Sequence, residues 1–303
     1  MQKTSNFDVI IPTKNRPDDF NRLIVSITTQ SILPNRLIVI DQSDKPYEKS
    51  ILLDAFPKNS QSVVVKHIVN QGIRSLVEAK SVGLKYASAT YVFFLDDDVV
   101  LKPGYFSNIL RTFENDDSLM GCSGFIDNAV SNRLWLFVFE FFHKGIFSDA
   151  RPSIFSQKVP HEKVIRCSKI PQGVSAWRSE VFRDISFDPK LKFHMVEDLH
   201  FSISVEKLYP NSQAIVTDSF ASHFHATSGR DHFQKRFRRK LFEFTDLWRM
   251  HRDIPSTFAF ALLMLGFAFE AVYYCIKFRN LETIKSFIEF VFQTITLRGM
   301  GKR

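Results

Sequence analysis

Cysteine is scarce in this sequence. Cys122, Cys167 and Cys275 are the only three in 303 residues, they lie far apart, and none has metal-ligand spacing. An odd, dispersed set argues against a disulfide-stapled scaffold and against a cysteine-rich zinc site, and a reduced cytosolic compartment is the simplest reading. A long apolar leader is missing as well: Met1 to Asn6 is polar and runs straight into a short strand-like segment, so the chain is expected to begin in the cytosol. The first half holds no Gly-rich phosphate loop of either common type, which disfavours a dinucleotide dehydrogenase or a P-loop ATPase. With 45% hydrophobic and 14% aromatic residues, the chain has enough apolar surface for one large core or two smaller ones.

What is present is organised around FFLDDDVV, Phe93 to Val100, an apolar run that ends in Asp96, Asp97 and Asp98. Tyr91 to Leu95 is aromatic, β-branched and uninterrupted, as in a strand buried on both faces, and Lys102-Pro103-Gly104 is turn chemistry. The acids therefore close a strand. If extended geometry persists, Asp96 and Asp98 share one side and Asp97 faces the other. Closely spaced carboxylates repel unless their pKa values rise or a cation arrives, and oxygen ligation suits Mg²⁺ or Mn²⁺. A solvated acidic turn is the alternative.

Other segments repeat the pattern. Phe7 to Ile11 is strand-like and leads into Pro12-Thr13-Lys14-Asn15-Arg16-Pro17, where Asn15 is a candidate cap for a helix carrying Phe20, Leu23, Ile24 and Ile27. Leu37 to Ile40 ends in Asp41, and Val63 to Val69 leads to a helix whose Ala79, Gly83 and Ala87 allow close approach to a neighbour. Alternating strands and helices imply an α/β fold with a mostly parallel sheet, and such sheets bind ligands outside the carboxyl ends of their strands. Three polar strand ends (Thr13 to Arg16, Asp41 and the aspartate cluster) point together to a nucleotide-plus-metal site.

These residues resemble the family 2 glycosyltransferases of the GT-A fold, over about Phe7 to Lys240. Pro12 to Arg16 is similar to the family's first loop, Asp41 to its nucleoside-contacting acid, and Asp96 to Asp98 to its metal-binding acidic cluster, the DXD motif. Gln172-Gly173-Val174-Ser175-Ala176-Trp177 resembles the small-residue segment beneath the acceptor. Glu197-Asp198 resembles the acidic pair that supplies the catalytic base. His223, with His225 and Ser228-Gly229-Arg230 behind it, resembles the late His that completes the metal site. Gln42 and Lys80-Ser81 depart from the family's second acid and Arg-Asn pair.

The resemblance implies an inverting glycosyltransferase that uses a nucleotide-sugar donor and Mn²⁺ or Mg²⁺. Asp198 is the candidate base, tuned by Glu197. Asp96, Asp98 and His223 are the candidate metal ligands, and Pro12, Thr13, Asn15, Arg16, Asp41, Lys80, Asp96 and Asp97 the donor-binding set. Gly173, Val174, Ser175 and Trp177 are expected on the acceptor side. Each residue has a plainer reading: Glu197 and Asp198 suit the first turn of any helix, Lys80 suits a solvated face, and a lone His is commonly structural.

Residues 230–252 hold eight Lys or Arg against Asp231, Glu243 and Asp246, a basic surface suited to an anionic ligand or lipid; with no recognised nucleic-acid motif, no nucleic-acid partner is expected. Thr257 to Ile276 is twenty residues with a single charge, Glu270, about 30 Å as a helix. It is long enough to span a bilayer, yet the larger basic group follows it, against the positive-inside tendency. Ile284, Phe287, Ile288, Val291 and Phe292 then form an interfacial stripe. A catalytic domain over 1–245 and a membrane-associated helical segment over 246–303 are expected, at the cytoplasmic face of the membrane. The run Leu134 to Phe142 reads first as core and second as a lip toward a lipid-linked acceptor. A glycan or lipid-linked acceptor for cell-surface polysaccharide is the leading reading. A sugar-nucleotide nucleotidyltransferase and a non-catalytic scaffold are the alternatives.

Overall fold

Apolar runs bounded by turn residues become strands, and amphipathic repeats between them become helices. The computed structural model describes residues 6–56, 63–73, 75–130, 132–157, 161–188, 191, 193–224, 233–251 and 257–300. In order the elements are β1 (Phe7–Thr13), α1 (Pro17–Thr28), β2 (Arg36–Asp41), α2 (Lys49–Ala55), β3 (Val64–Val69), α3 (Leu76–Leu84), β4 (Tyr91–Leu95), β5 (Val99–Leu101), α4 (Tyr105–Asn115) and β6 (Gly121–Ile126). There follow α5 (Arg133–Phe142), a 3-10 turn (Gly145–Phe147), α6 (Arg151–Phe155), β7 (Val164–Arg166), β8 (Val174–Arg178), α7 (Val181–Asp184), α8 (Glu197–Leu208), β9 (Gln213–His223), α9 (Phe233–Met250), α10 (Thr257–Phe278) and α11 (Glu282–Met300). They form two compact units, Met1–Ser131 with Ala150–Gly229, and Asn132–Asp149 with Arg230–Arg303.

The first unit is a nine-stranded sheet in the order β3-β2-β1-β4-β8-β6-β9-β5, with β7 added to β9. Strands β3, β2, β1 and β4 run parallel, as the near-continuous apolar runs of β1, β2 and β4 predict. The other half is mixed: β8 is antiparallel to β4 and β6, while β9 runs parallel to β6 and antiparallel to β5 and β7. All seven residues of β1 are buried, so the sheet's centre is covered on both sides. Helix α3 lies close to it at Gly83, where a Cβ would stand 2.5 Å from Ile10 Cγ2. The helix ends at Leu84, leaving Ala87 outside the contact.

Two local details position the site. Helix α1 is capped by Arg16 without a side-chain bond, so Asn15 is not the cap expected of it. Asn15 instead takes a left-handed conformation (φ 55°), which Asn tolerates well, and its side chain reaches the next loop. Gly104, at φ 84°, closes the turn after β5 and starts α4.

The second unit is helical. Leu263, Phe267 and Ala271 of α10 are buried, Trp248 of α9 stacks on Phe260 at 4.3 Å, and Lys240 of α9 pairs with Glu270 at 2.7 Å. The Thr283 hydroxyl of α11 donates to the Ala271 carbonyl. The expected boundary at 245/246 falls inside the continuous helix α9. The apolar run Leu134 to Phe142 is not core: no residue of α5 is buried. Helix α10 is long and apolar enough to cross a membrane by length and composition.

Candidate active site

The three aspartates lie where β4 stops. Asp96 N–H donates to the Gly173 carbonyl, and the chain turns through Asp97 and Asp98 into β5. Asp96 and Asp98 therefore converge through a turn rather than through strand alternation. The β5–β9 ladder pairs Val99 with His223, which carries the late histidine to the acids across 125 residues of sequence. His223 Nε2 lies 3.0 Å from Asp98 Oδ1 and 3.9 Å from Asp96 Oδ2. The ligand atoms of Asp96, Asp98 and His223 lie within 4.8 Å of one another, and two carboxylates with one imidazole fit a Mn²⁺- or Mg²⁺-sized cation. His225, Ser228, Gly229 and Arg230 lie outside the described residues.

Asp97 turns to the first loop. It accepts hydrogen bonds from Thr13 Oγ1 at 2.9 Å and Arg16 Nη1 at 3.0 Å, and Arg16 also lies 3.7 Å from Asp98. Burial pushes the Asp97 carboxyl up to about 6, although Arg16 and the Thr13 hydroxyl favour its charge. Asn15 exchanges two 2.9 Å bonds with Asp44 and its own N–H donates to Ser43 Oγ, tying the β1 and β2 loops together. Pro12 is buried within β1 and presents no surface to a ligand.

Asp41, expected at the nucleoside, is fully buried and committed to its own loop. It accepts from the Ser43 and Tyr47 N–H groups at 2.9 and 2.7 Å and contacts His67 Nε2 at 3.1 Å. Burial alone would raise its pKa, but the bonds from His67, Ser43 and Tyr47 outweigh it and bring the group down from 3.8 to about 2. A depressed folded pKa contributes stability above the unfolded value and loses it as pH falls toward 2. That contribution is about 2 kcal/mol. Thermal unfolding followed from pH 5 to pH 2 is expected to show this loss in the wild type, and Asp41→Asn is expected to lower the melting temperature at pH 7 and flatten the dependence.

The segment expected beneath the acceptor is a support. Val174, Ser175 and Trp177 of β8 are fully buried, because β8 sits between β4 and β6, and Trp177 packs on Phe201 at 4.9 Å. They hold the site without offering a contact surface. Gly173 has a specific role: a Cβ there would stand 2.0 Å from Asp96 Oδ2. Gly173→Ala is expected to push the Asp96 carboxylate aside and weaken cation binding about 10- to 100-fold, read by calorimetric Mn²⁺ titration, with melting temperature as the folding control.

Lys80 is neither solvated nor at a ligand surface. It is 1% exposed, donates to Gln172 Oε1 at 2.8 Å and lies over the Phe94 ring. Its charge acts on Glu197, whose Oε2 is buried without a hydrogen-bond partner among the described residues. Burial holds the Glu197 carboxyl well above the ordinary range, with Lys80 opposing and the adjacent Asp198 reinforcing the rise. Asp198, one residue on in the first turn of α8, forms an ion pair with Arg151 and accepts from the Leu199 N–H at 2.8 Å. Arg151 had no signal in the sequence, since it stands on the short helix α6, 47 positions away. A cavity of about 290 Å³ lined by Ser88, Thr90, Arg178 and Arg183 opens at the other end of β4 and takes no part in this arrangement.

Residues 8–170 match the family model described as glycosyl transferase family 2. The O-antigen chain rhamnosyltransferase RfbN of Salmonella typhimurium is 24% identical over 248 residues, covering 81% of this chain and 74% of that protein. The minor teichoic acid biosynthesis protein GgaB of Bacillus subtilis is 32% identical over 117 residues, 37% of this chain and 13% of that one. Among solved structures, GalNAc-T7 with UDP, GalNAc and Mn²⁺ superposes with a TM-score of 0.56 at 16% identity, over 79% of this chain and 48% of that chain. The likeness is one of fold, the GT-A arrangement.

Proposed function

The chain belongs to glycosyl transferase family 2, and from that premise we propose that it moves a sugar, with inversion, from a nucleotide-sugar donor to a glycan or lipid-linked acceptor in cell-surface polysaccharide synthesis. The observation that carries this reading is the separation of two anionic centres by function. The ligand atoms of Asp96, Asp98 and His223 lie within 4.8 Å of one another, while Asp198, outside that group, is held on α8 by its own guanidinium partner.

In this reading Asp198 accepts the acceptor hydroxyl's proton while that oxygen attacks the anomeric carbon and the sugar–phosphate bond breaks, its electron pair passing to the departing diphosphate. Arg151 holds the carboxylate in place. Glu197, with its raised pKa and buried oxygen, shapes the field around it. Asp96, Asp98 and His223 would hold a divalent cation, which when bound supplies Lewis-acid stabilisation to the diphosphate. Thr13, Asn15 and Arg16 form the donor side, with Arg16 available to a phosphate beside Asp97. The names of the O-antigen and teichoic acid relatives support a polysaccharide or polymer acceptor. The exposed apolar helices of the second unit support work at a membrane, and the cytoplasmic face is the side we propose for it.

The test is turnover with a panel of nucleotide sugars and lipid-linked or glycan acceptors in the presence of Mn²⁺. Release of nucleoside diphosphate, with a product of opposite anomeric configuration by NMR, is expected. Consumption of a nucleoside triphosphate with pyrophosphate release would point instead to nucleotidyl transfer, and inactivity of folded protein across the panel would count against transfer.

A further inference from the structure

Helix α5 is the least explained element of the chain. It is well formed: Asn132 caps it by accepting from the Trp135 N–H at 2.6 Å. Its ten residues are nearly all apolar, yet none is buried. Leu134, Phe137, Val138 and Phe141 stand at i, i+3, i+4 and i+7, one helical face, and are 73%, 67%, 44% and 49% exposed. A solvated helix places polar residues on that face. The opposite side is anchored within the second unit: Phe142 fills the space left by Gly266 of α10, where a Cβ would stand 2.7 Å from its ring. Phe142 also contacts both Phe141, at 5.0 Å, and Phe269, at 5.7 Å. Phe141 and Phe269 are both exposed, so the apolar surface runs unbroken from α5 onto α10, where Leu265, Phe269 and Ile276 continue it.

We propose that this joint face of α5 and α10 docks the protein in the plane of an anionic bilayer, with α5 as an aromatic wedge and α10 lying along the interface rather than crossing. This rests on the membrane reading above and deepens it. An exposed apolar face that continues from one helix onto the next marks an interaction site. The same unit exposes Lys235, Arg236, Arg238, Lys277 and Arg279, which match anionic headgroups. Crossing is opposed by packing. Glu270 is paired with Lys240 of α9, whose neighbours Arg236, Arg238 and Arg239 would be drawn toward hydrocarbon with it.

Tryptophan gives a direct readout. Of the three in the chain, Trp177 and Trp248 are buried and Trp135 on α5 is 48% exposed. The full chain is mixed with vesicles of phosphatidylglycerol and phosphatidylcholine (about 3:7), with and without brominated phosphatidylcholine, and sedimented. Expected are co-sedimentation that weakens with salt, a blue shift, and bromine quenching that disappears in Trp135→Phe. The double variant Phe137→Asp with Phe141→Asp is expected to bind vesicles at least about tenfold more weakly while keeping the wild-type melting temperature. Co-sedimentation without quenching, or unchanged binding of the double variant, would overturn the role of α5 and leave the broader membrane reading standing. No co-sedimentation of the wild type would overturn both. Loss of self-association in the double variant with vesicle binding intact would assign the face to a second copy instead.

Discussion

Asp198→Asn is expected to lower turnover about 10²- to 10⁴-fold while donor binding changes by less than about threefold. Asparagine keeps the size of the side chain and an oxygen for the Leu199 N–H, so the first turn of α8 keeps its geometry. What it removes is the charge that accepts a proton and faces Arg151. A base acts in the transition state, so kcat carries the loss and donor affinity does not. Rapid kinetics on nucleotide-sugar turnover, with calorimetry of nucleoside diphosphate binding as the control, measures both quantities. Turnover within about threefold of wild type would remove Asp198 from the chemistry. Melting temperature guards against the trivial outcome, since Arg151 also loses its anionic partner in the variant.

Asp98→Ala is expected to abolish the Mn²⁺ dependence of nucleoside diphosphate binding and to reduce turnover at least about 10²- to 10³-fold. Asp98 is 4% exposed and touches both His223, at 3.0 Å, and Arg16, at 3.7 Å, so it links the candidate ligand group to the first loop. Removing it leaves Asp96 and His223 facing each other at 3.9 Å with one carboxylate between two former ligands. Asp97→Asn is the informative comparison, because Asp97 is engaged by Thr13 and Arg16 and is not in the ligand group. It is expected to weaken donor binding without changing the cation requirement. If Asp98→Ala retained cation-dependent nucleotide binding, the ligand set would have to be redrawn.

The strands of the parallel half were legible because a strand buried on both faces must be apolar throughout, and few other structures produce such runs. Tyr91 to Leu95 coincides with β4, and the runs beginning at Phe7, Leu37 and Val63 differ from β1, β2 and β3 by one or two residues. Polar residues at the ends of these runs were equally legible, since three adjacent carboxylates interrupt an apolar run abruptly. The functions of single side chains were less so. The resemblance placed Asp41 at the nucleoside, and Lys80 read either as a phosphate contact or as a solvated lysine; the structure shows Asp41 bonded to its own loop and Lys80 as an internal cation bonded to Gln172. The run on α5 read as core, because hydrophobicity alone does not say whether a neighbouring element will cover it.

The GT-A type of sheet was expected only from the resemblance to family 2 glycosyltransferases, whereas residue chemistry and period by themselves determined the four strands of the parallel half and which of their ends carry acids. These follow from local patterns, in which each residue's contribution depends on neighbours a few positions away. Tertiary structure alone decided that Arg151 meets Asp198, that Gly173 makes room for the Asp96 carboxylate, and that no residue of α5 is buried, and it brought His223 to Asp96 and Asp98, a grouping the sequence offered only through the family resemblance. Each of these depends on contacts between residues 45 to 130 positions apart or on the absence of a covering element. Sheet order and helix packing bring such residues together, and no spacing in the sequence records them.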